Sequence, residues 1–203
     1  MTSHIFNAIA AITSQDSVDL VVQETDGTLQ IRGHLPSGRK LALQLWPHRV
    51  ASLSSLDADF TIESGATLSL QIQYHGTAEQ SFSCKTSQYH MGAQGKSTVT
   101  VNAVGEDTAH FDYIGTIEVP EKVENITATQ RFRGLLLSPS ATITATPVMR
   151  VASRDTVCEH GTSIGPIDPE ILEYCSLRGI DQKSTQDIYV SGFLGECQRI
   201  ENT

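Results

Sequence analysis

No run of apolar residues in this 203-residue chain approaches the roughly 20 that a membrane-spanning helix needs, so no membrane partner is expected. The first residues, MTSHIFNAIAAITSQDS, carry an apolar patch without a basic flank. That pattern does not read as a signal peptide, and it leaves the cytoplasm as the expected compartment. Basic residues are scarce: 14 Lys and Arg stand against 23 Asp and Glu, a formal net charge of −9. Nucleic-acid binding draws its affinity from clustered Lys and Arg, so nucleic acid is not an expected partner. The four cysteines, Cys84, Cys158, Cys175 and Cys197, are too few and too widely spaced for a disulfide framework, and none forms a C-x-x-C pair. Also missing are a G-x-x-x-x-G-K-[ST] loop, a Ser/His/Asp order and a paired-carboxylate motif. The chain is therefore not expected to be an enzyme, and any ATP hydrolysis must belong to a partner.

What is present from about Val18 to Val151 is a succession of short segments rich in Val, Ile, Leu and Thr. Leu29-Gln30-Ile31-Arg32, Thr67 to Ile72 and Ser97 to Val101 alternate apolar with polar residues, which is the period of a strand with one buried face. Asp26-Gly27, Pro36-Ser37-Gly38, Ser64-Gly65, His75-Gly76 and Gly105-Glu106-Asp107 supply turn chemistry between them. The body is thus mainly β, and sandwich, barrel and β-helix all fit this pattern. No regular leucine-rich or hexapeptide repeat is visible. The expected organisation is a β core over residues 1–165, its first 17 or so residues irregular or helical, followed by a helical domain over residues 166–203.

The helical part has explicit start and stop signals. Asp168 can cap a first turn that opens with Pro169 and Glu170; Ile171, Leu172 and Cys175 recur at helical spacing, and Gly179 follows Arg178 as a stop. A second helix is expected from Asp181, carrying Ile188, Tyr189, Phe193 and Leu194. It is too short to be stable alone, so it must dock on the body or on another protein.

At the boundary between the two parts lies Val157-Cys158-Glu159-His160-Gly161-Thr162. A thiol, a carboxylate and an imidazole within three positions form a soft-to-borderline metal-ligand set. In a strand, Cys158 and His160 would share one face, with Cβ atoms about 7 Å apart, while Glu159 would face the other way. The same residues also fit a plainer reading, with His160 a turn residue and Cys158 a core thiol. His75, His90, His110 and Cys84 show no ligand spacing and are expected to be solvated or structural. Arg131 and Arg133 should share one face of a strand, and Trp46 is expected as a core or rim aromatic.

Four blocks occur in a telling order: Gly134-Leu135-Leu136-Leu137-Ser138-Pro139-Ser140-Ala141, Thr146-Pro147-Val148-Met149-Arg150-Val151, the Val157-to-Thr162 segment, and Tyr174 with Arg178-Gly179-Ile180. In order and spacing they resemble the SufB/SufD family, scaffold proteins of the SUF iron–sulfur cluster assembly machinery. The resemblance implies a right-handed parallel β-helix core with a short C-terminal α-helical domain. It further implies that cores associate in pairs, with a SufB-like subunit or as a homodimer. The terminal helices would bind a SufC-like ABC ATPase through residues in the Asp168-to-Leu194 segment: Tyr174, Arg178, Gly179, Ile180, Ile188 and Phe193.

The likeness is nearer to SufD. SufB-type chains carry a cysteine where this one has Ala141, and Ser138-Pro139-Ser140-Ala141 is close to the SufD pattern Ser-Pro-Asn-Ala. Glu159 and Cys175 are instead SufB-like, Glu173 departs from the aromatic residue usual in the family, and the family's N-terminal helical region is not read in this chain. His160 corresponds to the SufD-type histidine implicated in cluster building. The implied cofactor is an iron–sulfur cluster or iron, transient and shared at a subunit interface, with His160 as ligand and Cys158 and Glu159 as further candidates. The thiol missing at Ala141 would have to come from another chain. The alternative expectation is a structural or regulatory β-helix module without cluster chemistry.

Overall fold

The computed structural model of the chain describes residues 8–15 and 18–195. Twelve strands in the described residues form two six-stranded sheets. One has the order β1-β4-β6-β8-β10-β12 and the other β11-β9-β7-β5-β3-β2. The strands are β1 Ile9–Gln15, β2 Asp19–Thr25, β3 Thr28–Leu35, β4 Lys40–Leu45, β5 Ser55–Ile62, β6 Thr67–Gly76, β7 Ser81–His90, β8 Lys96–Gly105, β9 His110–Val119, β10 Ile126–Leu136, β11 Thr142–Val151 and β12 Thr156–Pro166. From β3 onward, consecutive strands alternate between the sheets and each pairs in parallel with the strand two ahead. The result is a parallel β-helix of about five turns.

Register shows the repeat that inspection of the sequence does not. Leu29, Leu56, Cys84, Tyr113 and Ala145 are stacked in one sheet; Leu43, Leu70, Val99, Gln130 and His160 are stacked in the other. The rungs lengthen toward the carboxyl end, because the corners take up extra residues. A drifting period with Leu, Cys, Tyr and Ala at one position leaves no consensus to read.

The segment expected to be irregular or helical instead contributes β1, which pairs antiparallel with β4 through Ile9↔Leu45 to Gln15↔Lys40. It gives the first parallel strand of that sheet a partner, so the polar backbone edge there is covered. Residues 1–7 of that segment lie outside the described residues, as does Cys197. β2 folds back on β3 through Asp26-Gly27, both at positive φ, the geometry of a tight hairpin turn.

Strand alternation sends apolar side chains between the sheets. Ser81–His90, for example, buries Phe82, Cys84, Thr86, Gln88 and His90 and leaves the intervening residues at least partly exposed. The few aromatics are concentrated there. Tyr74 stacks on Phe82 at 4.5 Å, Phe111 lies 6.0 Å from both Phe82 and Phe132, and Phe132 stacks on Tyr113 at 5.1 Å. Trp46 is buried, with the Arg49 guanidinium 3.6 Å from its ring centroid.

Two α-helices follow β12: α1, Pro169–Leu177, and α2, Gln182–Leu194. Asp168 Oδ1 accepts from the Glu170 amide at 3.0 Å, and Asp181 Oδ1 accepts from the Ser184 amide at 2.9 Å, so both expected caps are in place. Gly195 ends α2 in the left-handed conformation, φ 73°. The helices dock on the outer face of the β12-containing sheet. There Val104 and Leu135 form a buried cluster with Ile167, Val190 and Leu194, and Ile171, Leu172, Tyr189 and Phe193 pack against it. This contact explains why Asn102 and Val104, on the outward face of β8, are buried.

Candidate functional site at the last rung

Among the described residues, β11 pairs only with β9 and β12 only with β10, so the fifth turn ends there in two strand edges without a further rung. Inward-facing side chains of this turn stay partly open. Met149 is 38% and Ile164 40% exposed, although the positions beneath them in the helix are buried. A parallel sheet normally has both faces and its interior covered, so this end is the least finished part of the molecule.

His160 and Cys158 both lie on the inward face of β12, stacked over Gln130 and Ala128 respectively. Alternation thus brings together the two residues that spacing placed on one side. Glu159 is on the opposite, outward face beside Thr129 and does not orient the imidazole. Instead, His160 Nδ1 meets Met149 Sδ at 3.0 Å across the interior. A thioether can only accept, so this contact assigns the proton to Nδ1 and leaves the lone pair on Nε2. Nε2 has no hydrogen-bond partner among the described residues and belongs to an exposed side chain, which suits it to bind a metal ion presented from outside.

Cys158 is half-buried against Ile126, Ala128 and Val151. Burial pushes its thiol above the usual cysteine range, while hydrogen bonds involving Thr156 and the Ala128 backbone pull the other way. A raised value disfavours the thiolate, the form that binds metal strongly. Among the described residues no cluster of three or more His, Cys, Asp or Glu could hold a metal ion. His160 and Cys158 are thus at most part of a ligand set.

His90, His75 and His110 serve the fold. His90 is fully buried with Nε2 2.8 Å from Ser97 Oγ, and burial pushes its pKa down to about 4. His75 pairs with Glu106 at 3.3 Å and His110 with Asp112 at 2.7 Å on the outside. Cys84 is buried in the core.

The helical pair presents a second surface. Tyr174, Leu177 and Ile188 are 58%, 79% and 64% exposed, an unusual concentration of large apolar groups on two short helices. Arg178 lies with its guanidinium 4.9 Å from the Tyr174 ring centroid, and Gly179 turns the chain at φ 79° before the half-buried Ile180. Phe193 belongs elsewhere: it packs against the body under the Arg133 guanidinium, 5.0 Å from its ring centroid. Sequence reasoning missed Met149 and Leu177. The i, i+2 relation of Pro147, Met149 and Val151 signals an inward face, but only the register across the two sheets places Met149 opposite His160.

Residues 51–193 match the family profile described as SUF system FeS cluster assembly, SufBD core domain. The chain is 28% identical over 119 residues to the iron–sulfur cluster assembly protein SufD of Bacillus subtilis, covering 59% of this chain and 27% of that protein. It is 28% identical over 90 residues to SufD of Escherichia coli, covering 44% and 21%. It is also 33% identical over 88 residues to the chloroplastic protein ABCI7 of Arabidopsis thaliana, covering 43% and 18%. The matched region thus spans about a quarter or less of the length of these three relatives.

Proposed function

The chain belongs to the SufBD core family of SUF iron–sulfur cluster assembly proteins, and from that premise we propose that it is a SufD-like scaffold subunit. It pairs through its last rung with a SufB-like subunit or with a second copy. Iron or a nascent cluster is the cargo of that interface rather than a resident cofactor. His160 Nε2 supplies one ligand, and the partner supplies thiolates, because this chain has Ala141 where SufB-type relatives carry a cysteine and its own Cys158 is half-buried in the interior.

The observation that carries this reading is the orientation of His160 by Met149 on an uncovered rung. The exposed apolar group of Tyr174, Leu177 and Ile188 supports α1 and α2 as the docking surface of a SufC-like ABC ATPase. ATP hydrolysis and its conformational work belong to that partner, in the cytoplasm of the cell. The test is co-purification of the chain with a SufB-like and a SufC-like protein from the same organism, followed by anaerobic reconstitution with iron and sulfide. Cluster-type visible absorbance that requires this chain, and falls with His160→Ala, supports the proposal; absorbance independent of the chain refutes it.

Two observations favour a second reading. The half-buried thiol of Cys158 and the alanine at position 141 leave this chain poor in soft ligands, as in a β-helix module that only organises partners. In that case the complex forms but cluster yield does not depend on His160.

A further inference from the structure

We propose that the outer face of β10 and β12, beside α2, is a binding site for a phosphate-class dianion, either free or as the terminal group of a small organic phosphate. A cleft of about 550 Å³ lies there, lined by Thr100, Arg131, Arg133, Gly161 and Ser163 among others. Its size is that of a small-molecule site. It is on the opposite face of β12 from His160 and plays no part in the cluster proposal.

Arg131 and Arg133 are two residues apart on one strand and so project from the same face. The two guanidiniums differ in how they are held. Arg133 is fixed: its Nε donates to Oδ1 of the buried Asn102 at 2.9 Å, and its guanidinium covers the Phe193 ring. That leaves its Nη groups available and preorganised. Arg131 makes no ion pair with any described carboxylate, although acidic residues outnumber basic ones by 23 to 14 in the chain. Two guanidiniums on one face with no ion-pair partner among the described residues repel each other, and an oxyanion between them relieves that repulsion through charge-assisted hydrogen bonds.

The position beside Arg131 on β12 carries no side chain. Gly161 is the register partner of Arg131, and a Cβ built on Gly161 meets no atom within 4 Å. The gap is open space beside Ser163 on β12, while Thr100 lies on the other side of Arg131 on β8; both hydroxyls line the cleft and can donate to an oxyanion. Glu159 sits on the same outward face, two residues along β12 from Gly161. Its carboxylate opposes a bound anion and sets the affinity from the other side.

The test is titration of the full-length protein with inorganic phosphate and, separately, with phenyl phosphate, followed by amide NMR shifts at constant ionic strength. Saturable shifts at Arg131, Gly161 and Ser163 are expected. Phosphate and phenyl phosphate binding alike indicates a site for the free ion; phenyl phosphate alone indicates an esterified ligand, and either result upholds the proposal. Arg131→Gln should weaken binding about tenfold or more. Gly161→Leu should block the cleft while the spectrum elsewhere stays that of the folded protein, and Glu159→Gln should tighten binding. Absence of saturable shifts with both ligands overturns the proposal, as do shifts unchanged by both Arg131→Gln and Gly161→Leu.

Discussion

Gln130 and His160 occupy the same register position on neighbouring parallel strands, yet Gln130 is 2% exposed and His160 is open to solvent. Nothing in the local geometry of the two residues produces this difference. It arises because a rung covers Gln130 and none covers His160. The openness of the last turn is thus a property of its position in the stack, and under the pairing proposed above a charge placed on that turn should disrupt partner binding more than folding.

Met149→Lys and Ile164→Lys test this directly. Both side chains are partly exposed on the uncovered rung, so each substitution should change monomer stability by less than about 1 kcal/mol in urea unfolding. Both should abolish pairing with a SufB-like subunit or a second copy in sedimentation experiments. Retained pairing in both variants would place the interface elsewhere.

Interior positions should behave in the opposite way. A Cβ at Gly115 would collide with the amide of Gln130 and the hydroxyl of Tyr113, two groups held inside the β-helix. Gln130 Nε2 donates to the Gly115 carbonyl at 3.2 Å, so the collision also strains a buried hydrogen bond. Gly115→Ala should destabilise the protein by about 1–3 kcal/mol, measured by urea unfolding, without altering partner specificity.

Acid should weaken the fold through His90. Its pKa is pushed down to about 4 by burial, while the unfolded chain titrates near the ordinary 6.5. As pH falls below the unfolded value, the unfolded state takes up a proton that the folded state refuses. Stability is therefore full above about pH 6.5 and is lost progressively toward pH 4. The loss should reach about 2–3 kcal/mol at about pH 4.5. His48, also pushed down to about 4 by burial, acts in the same direction. Unfolding midpoints measured across this range should show the slope, and His90→Gln should reduce it.

Residues themselves were informative where chemistry is local. The caps Asp168 and Asp181, the stop at Gly179 and the strand alternation of Ser97 to Val101 all state their structure within a few positions. The shared face of Cys158 and His160 follows from strand alternation alone. The choice among sandwich, barrel and β-helix did not, because it depends on pairing between residues some thirty positions apart, and there the family likeness supplied the answer. β1 was unreadable for a similar reason: its strand state comes from pairing with β4, not from its own short apolar patch. The roles of Met149 and Phe193 likewise depend on which surface another element covers, the uncovered rung for one and the α2 contact for the other.

The helical surface yields a separate prediction. Leu177→Asp combined with Ile188→Asp alters only strongly exposed side chains, so the melting temperature should hold while binding to a SufC-like ATPase falls about tenfold or more. Phe193→Ala should do the reverse, loosening α2 from the body, since Phe193 packs beneath Arg133.

The most direct measurement is anaerobic cluster reconstitution on the purified complex with its SufB-like and SufC-like partners, comparing the native chain with His160→Ala. His160 is exposed and its polar contact among the described residues is with Met149 alone, so the variant complex should assemble with unchanged stoichiometry. The assembled complex should nevertheless lose most of its cluster absorbance. Full cluster yield in the His160→Ala complex would contradict the proposed role of His160.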